Sequence, residues 1–417
     1  MKILRLNSVA GPPGGVEAYI EGVDRILSKY GHETRTITLT TGVRREKSVN
    51  EIEIVSPPSP LTRAINDVIP SDEVYEALLS EYRTFRPDLI HLHHLRIGFA
   101  SVVRFLRSVE EPVVFTAHDA LAVCPLSTLV KPGNVICEGG ASVRCAFTGC
   151  RIHSHLPYEL ILSRAFRELS ESSIRAFICP SYAVMRYFSR FNFRPTVHLL
   201  SFSHFDPKLV SEEPRYGEIL SRNGVGYIGR LDKYKGVDDL IKAFKIFSKR
   251  HEGFKLLIAG TGPYEGDLRE LAQRLGLDSQ VEFLGEVRGR EKEEFYDSIF
   301  CNVVPSRLWE NLPFSAQESM LRGIPTVGTR IGGIPELIED GVTGFTVPVG
   351  SPESMAERLE AILRNEGNSV TGMMAMGRER ILRNFTPERH LSGLMDIYGR
   401  VLGGDEIPDG YDPSPVV

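Results

Sequence analysis

The stretch from Phe300 to Val347, FCNVVPSRLWENLPFSAQESMLRGIPTVGTRIGGIPELIEDGVTGFTV, limits the fold more tightly than any other part of the chain. Ile299–Val304 is an apolar run closed by Pro305, the pattern of a strand buried on both faces in a parallel sheet. A loop follows, then a helix predicted from about Pro313 to Arg322 with Gly323 as its terminator. Pro325–Gly328 reads as the next strand, Gly332 and Gly333 as a tight turn, and Pro335 as the opening of another helix. This strand–loop–helix–strand grammar puts Glu310 at the carboxyl end of one strand and Glu318 inside the following helix. In an open parallel sheet, strand carboxyl ends and helix amino ends are where ligands sit.

The chemistry suggested by that stretch is an anionic ligand held beside a hydroxylated one. Unpaired N–H groups between Asn311 and Phe314, those of Asn311, Leu312 and Phe314 on either side of Pro313, stand at the helix start and attract negative oxygens. Carboxylates repel phosphate, so Glu310 and Glu318 are better suited to accept hydrogen bonds from sugar hydroxyls. The competing explanation makes Glu310 a charge favoured by the helix dipole and Glu318 part of a solvated face.

A second pattern of the same kind begins at Val225, in VGYIGRLDKYKG. The strand ends at Gly229, and Arg230 and Lys235 flank the turn into a helix over Val237–Lys249. Two cations at such a turn suit a diphosphate, Arg as a fork and Lys as a point charge. The alternative is a surface ion pair of either residue with Asp232 or Asp238. Phe254–Gly260 is predicted as a strand leading into GTGP, a turn of close backbone approach without the G-x-G-x-x-G of a dinucleotide fingerprint. A helix over Gly266–Leu275 and a strand over Val281–Leu284 follow. Helices around Pro352–Arg364, Met374–Asn384 and Pro387–Leu402 close the chain, and the final DEIPDGYDPSPVV reads as a disordered tail.

The first half alternates in the same way. KILRLN enters a glycine turn at Gly14 and Gly15, which open a helix through Lys29 and let backbone come close to a ligand. PDLIHLHH is a strand whose His91, His93 and His94 read as an exposed tip rather than a metal site. Glu111–Thr116 is a further strand, delivering His118 and Asp119 at its carboxyl end. Residues 157–172 form an amphipathic helix with Arg164 and Arg167 on a polar side that is either simply solvated or in peripheral contact with a membrane. Residues 204–223 are polar and broken, as in an interdomain linker.

Four of the six cysteines, Cys124, Cys137, Cys145 and Cys150, fall within an irregular insertion at 121–155, with His153 and His155 just beyond. A structural metal on these four is one reading. Unlinked or redox-labile thiols are the other, because the paired C-x2-C of a zinc ribbon is missing. Cys179 and Cys301 lie in apolar strands and read as inert core residues.

At 417 residues the chain is too long for one core. With 42% hydrophobic and 25% charged residues it has the balance of a globular protein, and no apolar run approaches the ~20 residues that span a bilayer. Its start reads as a buried strand rather than a leader, which places the protein in the cytoplasm or at the inner face of a membrane. A net charge of −5 argues against a general nucleic-acid binder. The expectation is an α/β protein of two doubly wound domains facing across a cleft, 1–205 and 206–385. A helix at 386–403 packs back on the first domain, and a tail occupies 404–417.

Four segments of the second half carry a family resemblance: GRLDKYKG; IAGTGPYEGDLRELAQRLGL with VEFLGEV; ENLPFSAQE; and GTRIGGIPELIEDGVTGFTVPVGSPESMAERL. Together with GGVEAYI, RPDLIHLHH and TAHD in the first half, they resemble the retaining nucleotide-sugar glycosyltransferases of family 4, the "group 1" family, whose fold is the two Rossmann-like domains of GT-B. The resemblance implies a hexosyltransferase-type enzyme that works without a metal in its chemistry and transfers sugar from an NDP-sugar to a glycan, lipid-linked or small-molecule acceptor. It implies that the first domain reads the acceptor and the second the donor. Arg230 and Lys235 would bind the donor diphosphate, Glu310 the sugar hydroxyls beneath the anomeric carbon, and Glu318 the ribose. Asn311–Phe314 would lie near sugar or phosphate, Gly15 would let its loop approach the diphosphate, His118 would contact the sugar, and backbone near Leu284 would meet the base. Pro313-Phe314-Ser315, Ser319 and LLSFSHFD depart from the family's usual residues and bear on which sugar is carried. A nucleotide-sugar epimerase of the same fold and a catalytically silent sugar-nucleotide-binding protein are the alternatives.

Overall fold

A computed structural model describes residues 1–9, 14–40, 50–55, 69–120, 122–124, 129–131, 135–137, 139, 145, 156–202 and 207–415. The chain divides into two compact units, one from the described residues of Met1–His204 and Pro387–Val416, the other from those of Phe205–Thr386.

The first unit is built on a seven-stranded parallel sheet. Its strands are β1 (Lys2–Val9), β2 (Glu33–Thr40), β3 (Glu51–Val55), β4 (Leu89–Leu92), β5 (Val113–Thr116), β6 (Ile174–Cys179) and β7 (Thr196–His198). They lie in the order β3-β2-β1-β4-β5-β6-β7. β4 and β5 are buried at every residue, as strands covered on both faces must be. The strand order reverses between β1 and β4, the crevice where doubly wound sheets take ligands. Helix α1 (Gly15–Lys29) follows β1, and at its start the Glu17 carboxylate accepts the Gly14 N–H at 2.7 Å, satisfying one of the helix's unpaired donors.

The second unit repeats the plan with six strands. These are β8 (Gly224–Ile228), β9 (Lys255–Ala259), β10 (Val281–Gly285), β11 (Ile299–Val304), β12 (Thr326–Thr329) and β13 (Phe345–Val347), in the order β10-β9-β8-β11-β12-β13. All its pairings are parallel. Its order reverses between β8 and β11, the two strands that precede Arg230 and Glu310. Helices α2 (Val237–Ser248), α3 (Glu265–Arg274), α4 (Arg290–Ser298) and α5 (Phe314–Leu321) link these strands.

Three sequence expectations are corrected here. Residues 207–223 are no loose linker: Ile219 joins the core of the second unit, Tyr216 and Leu220 pack on it, and the Arg378 guanidinium binds the carbonyls of Val210 and Glu212. The tail is ordered as far as residue 415. The Gly410 N–H donates to the Thr196 carbonyl at 2.8 Å, the His198 N–H to the Tyr411 carbonyl at 2.8 Å, and Asp409 accepts from Thr196. A polar composition misleads there because the tail's partners are backbone groups at the sheet edge, which apolar periodicity does not register. Finally, His91 and His93 are buried, not an exposed tip: His91 lies under the last helix of the chain, α6 (Pro387–Gly403), and His93 stacks on His91 and faces Tyr19 of α1. Tyr398 of that helix bonds His91 at 2.6 Å, and His390 bonds Tyr19 of α1 at 2.8 Å.

Candidate active site

In the second unit, the segment after β8 runs through a single 3-10 turn, Lys233–Lys235, into α2. Gly236 ends that turn at φ +70°, and a Cβ there would sit 2.0 Å from the Pro305 carbonyl oxygen. Only glycine lets the Lys235 turn lie this close to the exit of β11. From there the Lys235 ammonium donates to Glu310 Oε1 at 2.6 Å, joining residues 75 apart in sequence. Both side chains are largely sheltered, 27% and 14% exposed, so the pair is stronger than a surface ion pair. Glu310 is fixed by its backbone as well, its carbonyl accepting the Gly333 N–H at 2.8 Å from the turn before the next helix.

Arg230 lies on the same segment, 62% exposed, with its Nε 2.7 Å from Asp232 Oδ2. The ion pair weighed as an alternative thus forms for Arg230, whereas Lys235 takes Glu310 and not an aspartate. Asp238 and Asp239 instead hold Arg307, a residue that sequence reasoning missed. Arg307 donates through Nη2 to Asp238 at 2.8 Å, through Nε to Asp239 at 2.9 Å and through Nη1 to the Lys233 carbonyl at 3.2 Å. Its own N–H bonds the Tyr234 carbonyl at 2.8 Å. Arg307 therefore bolts the segment carrying Lys235 to the segment carrying Glu310. The signal that could have found it is an arginine, by composition a surface residue, placed three residues after an apolar strand.

The GTGP turn is one of close backbone approach, and its partner is the segment that carries Arg230. The Leu231 N–H donates to the Thr261 carbonyl at 2.9 Å and the Tyr264 N–H to the Leu231 carbonyl at 3.0 Å. The backbone approached by this turn is the chain's own, and the contact braces the Arg230 segment from behind.

Helix α5 begins after Pro313, whose carbonyl accepts from the N–H groups of Ala316 and Gln317. Leu312 is buried while Asn311, Pro313 and Phe314 are half-buried. Glu318 is not on a solvated face. Its carboxylate, 12% exposed, accepts from Lys292 Nζ at Oε1 and from the Tyr296 hydroxyl at Oε2, both at 2.7 Å. Ser319, a departure from the family pattern, turns its hydroxyl back onto the Ser315 carbonyl at 2.6 Å within the helix. Leu284 stands 40% exposed near the carboxyl end of β10.

In the first unit, Gly14 and Gly15 are exposed, and among the described residues a Cβ on Gly15 would meet nothing within 4 Å. His118 is half-buried, its Nε2 2.9 Å from His93 Nδ1 and its ring 5.0 Å from Tyr19. Burial there lowers its imidazole to about 3. His94 differs: its Nε2 faces Asp119 at 3.1 Å and its Nδ1 the Ser8 carbonyl at 3.1 Å, and the Asp119 charge raises it although burial opposes. The structure thus gathers Lys235, Glu310 and the start of α5 at the switch point of the second unit, with Glu318 on that same helix. Gly14, Gly15 and His118 belong to the first unit.

The four-cysteine metal site is not supported. Cys124, Cys137 and Cys145 are each buried, and no group of three or more His, Cys, Asp or Glu able to hold a metal ion occurs among the described residues. Cys150, like His153 and His155, lies outside the described residues. The three described cysteines have the burial of small apolar side chains, which sequence spacing cannot distinguish from ligation. Cys179 and Cys301 are fully buried, and burial pushes both thiols up, as inert core cysteines require. No helix among the described residues is long and apolar enough to cross a membrane.

Residues 212–380 match the family described as "Glycosyl transferases group 1", and residues 13–200 match "Glycosyltransferase Family 4". Over 373 residues the chain is 25% identical to an uncharacterized glycosyltransferase of Methanocaldococcus jannaschii, across 85% of this chain and 86% of that protein. It is 28% identical over 205 residues to the N-acetyl-alpha-D-glucosaminyl L-malate synthase of Bacillus anthracis, across 49% of this chain and 52% of that one. Sucrose-phosphate synthase from Thermosynechococcus elongatus has a similar fold, with a TM-score of 0.72 at 19% identity over 97% of this chain and 100% of that one. HepE of Anabaena, in complex with UDP-glucose, gives 0.71 at 18% identity over 96% and 99%. The shared fold is GT-B.

Proposed function

We propose, on the premise that this chain belongs to the group 1, family 4 glycosyltransferases, that it moves a sugar from a nucleoside-diphosphate sugar to an acceptor hydroxyl with retention of configuration. The observation that carries this reading is the Lys235–Glu310 pair at the switch point of the second unit, a cation and a hydroxyl acceptor side by side at 2.6 Å. The likeness to HepE, solved with UDP-glucose, supports a nucleotide sugar as donor.

Charge dictates the course of the reaction. As the bond from anomeric carbon to diphosphate oxygen breaks, negative charge grows on the leaving diphosphate. Arg230 and Lys235 stabilise it from preset positions, supplying the positive charge that a metal ion gives elsewhere. Arg230, 62% exposed, is held by Asp232 at 2.7 Å, and Lys235 is held by Glu310. Amides of the first turn of α5 add to the field. The acceptor oxygen forms its new bond to the anomeric carbon on the face the diphosphate leaves, and its proton passes to the departing phosphate oxygen. Glu310 holds sugar hydroxyls in place beneath the anomeric carbon.

The test is a binding and hydrolysis panel of UDP-, GDP-, ADP- and TDP-sugars, with Arg230→Ala and Glu310→Ala run beside the native chain. One nucleotide sugar is expected to bind and to release its diphosphate slowly. Arg230→Ala should lower kcat/KM about 10²-fold, the scale of one preorganised donor to a developing charge. Native protein that is folded yet binds no member of the panel would remove the transferase reading.

A further inference from the structure

Helix α4 presents two side chains to Glu318, and they occupy its carboxylate in a particular way. Lys292 and Tyr296 are four residues apart, one above the other on the same face. The Lys292 ammonium donates to Oε1 and the Tyr296 hydroxyl to Oε2, each at 2.7 Å. A carboxylate has about four lone-pair sites, two on each oxygen. One donor on each oxygen leaves capacity for one further hydrogen bond on each. That is the acceptor pattern for two adjacent hydroxyls rather than for one.

The pair is itself held rigidly. Tyr296 is fully buried, and the Arg322 guanidinium lies 4.3 Å from its ring centroid. Arg322 in turn donates to the Glu318 carbonyl at 3.1 Å and to Glu293 of α4 at 2.6 Å, tying α4 to α5. Burial, reinforced by the Glu318 carboxylate, pushes the Tyr296 phenol well above its ordinary range, so it stays a donor. Two donors from one helix fix a side chain that would otherwise sample several rotamers.

We propose that Lys292 and Tyr296 are positioning residues that preset Glu318 to accept a vicinal diol, so that the nucleotide of the donor is read as a ribonucleotide and its 2′-deoxy form is rejected. This rests on Glu318 being the ribose-binding residue of a nucleotide-sugar transferase. The reading concerns a hydroxyl remote from the reacting carbon, so its loss falls on donor binding and not on the chemical step.

The experiment measures the affinity of the full chain for UDP, GDP and ADP, then for the 2′-deoxy form of the one that binds best. Donor KM and kcat are measured with the corresponding nucleotide sugar. The native chain is expected to bind the ribo form about 10- to 100-fold more tightly, the range for a hydrogen bond to a charged group. Tyr296→Phe and Lys292→Met should each weaken the ribo form about 5-fold or more and bring the ribo-to-deoxy ratio toward one. They should raise donor KM with little change in kcat, and Lys292→Arg should restore most of the discrimination. Glu318→Gln separates the two ways of failing. If it abolishes the discrimination while Tyr296→Phe and Lys292→Met leave it intact, Glu318 reads the ribose but these two residues do not position it. If Glu318→Gln leaves the ratio unchanged, or the native chain never discriminates, Glu318 is not the ribose acceptor and the premise falls with the proposal. Unfolding midpoints measured alongside check that Tyr296→Phe, which keeps the buried ring, remains folded.

Discussion

Arg307 shows how much of a site can depend on a side chain that touches none of the reaction. Its guanidinium is 10% exposed and faces Asp238 and Asp239, themselves 11% and 5% exposed. Removing one partner of a buried cluster costs more than the cluster contributes, because the remaining charges stay desolvated. Arg307→Ala is therefore expected to lose about 3 kcal/mol in urea unfolding, with Lys242 left as the nearest cation to the two aspartates. It should also raise donor KM, since the Lys233–Lys235 turn loses its tie to the Glu310 segment. Arg307→Lys keeps the charge but not the fork, and should fall between. A variant as stable as the native chain would show that the bolt carries no strain. Of the residues nominated from sequence, Lys235 and Glu310 were legible one by one, each at a strand-to-helix turn. Their pairing was not, for nothing local couples positions 75 apart. Lys292 and Tyr296 lie in an ordinary charged helix, and only the packing of α4 against α5 gives them a role.

At the scale of elements, the apolar run of β11 and the turns on either side were readable, and α5 begins and ends within one residue of its expected span. The tail was misread for a reason that applies widely: strand pairing depends on backbone groups that every residue carries. The segment covers β7, which would otherwise be a bare edge, and Asp412 fastens it by accepting from His198 at 2.8 Å and from Tyr182. Deleting residues 408–417 should lower the thermal midpoint by roughly 5 °C, corresponding to about 2 kcal/mol of lost hydrogen bonds. It should also expose the edge to self-pairing, seen as concentration-dependent light scattering. An unchanged midpoint with no scattering would mean that the strap is ornamental.

At the scale of the whole molecule, titration separates the two units. Among the described residues, seven histidines belong to the first unit and one, His251, to the second. Burial lowers His91, His93 and His118, and lowers His390 to about 4, while His198 is lowered despite Asp412. The unfolded chain then binds more protons than the folded one below the ordinary histidine value, so stability is full above it and falls as pH drops toward the folded values. His94 is raised and acts in the opposite sense, being outnumbered. For His390 alone the loss at about pH 5.5 is about 1.4 kcal/mol. Calorimetry between about pH 7.5 and pH 5 should show the first unit's transition moving down while the second unit's moves little. Equal shifts in both would contradict the assignment.

What the sequence determined by itself was the architecture of each sheet and the places where chemistry could occur. Apolar runs, glycine turns and helix caps are short-range signals, and in a doubly wound sheet they bring strand ends to known sites. Tertiary structure decided which of those residues meet: Lys235 with Glu310, Arg307 with the aspartates, Glu318 with Lys292 and Tyr296, and α6 over a strand of histidines. Such contacts depend on how helices settle onto sheets over tens or hundreds of residues. Long-range packing of that kind leaves no period in the chain, which is why burial turned an expected surface tip at His91 and His93 into part of a core.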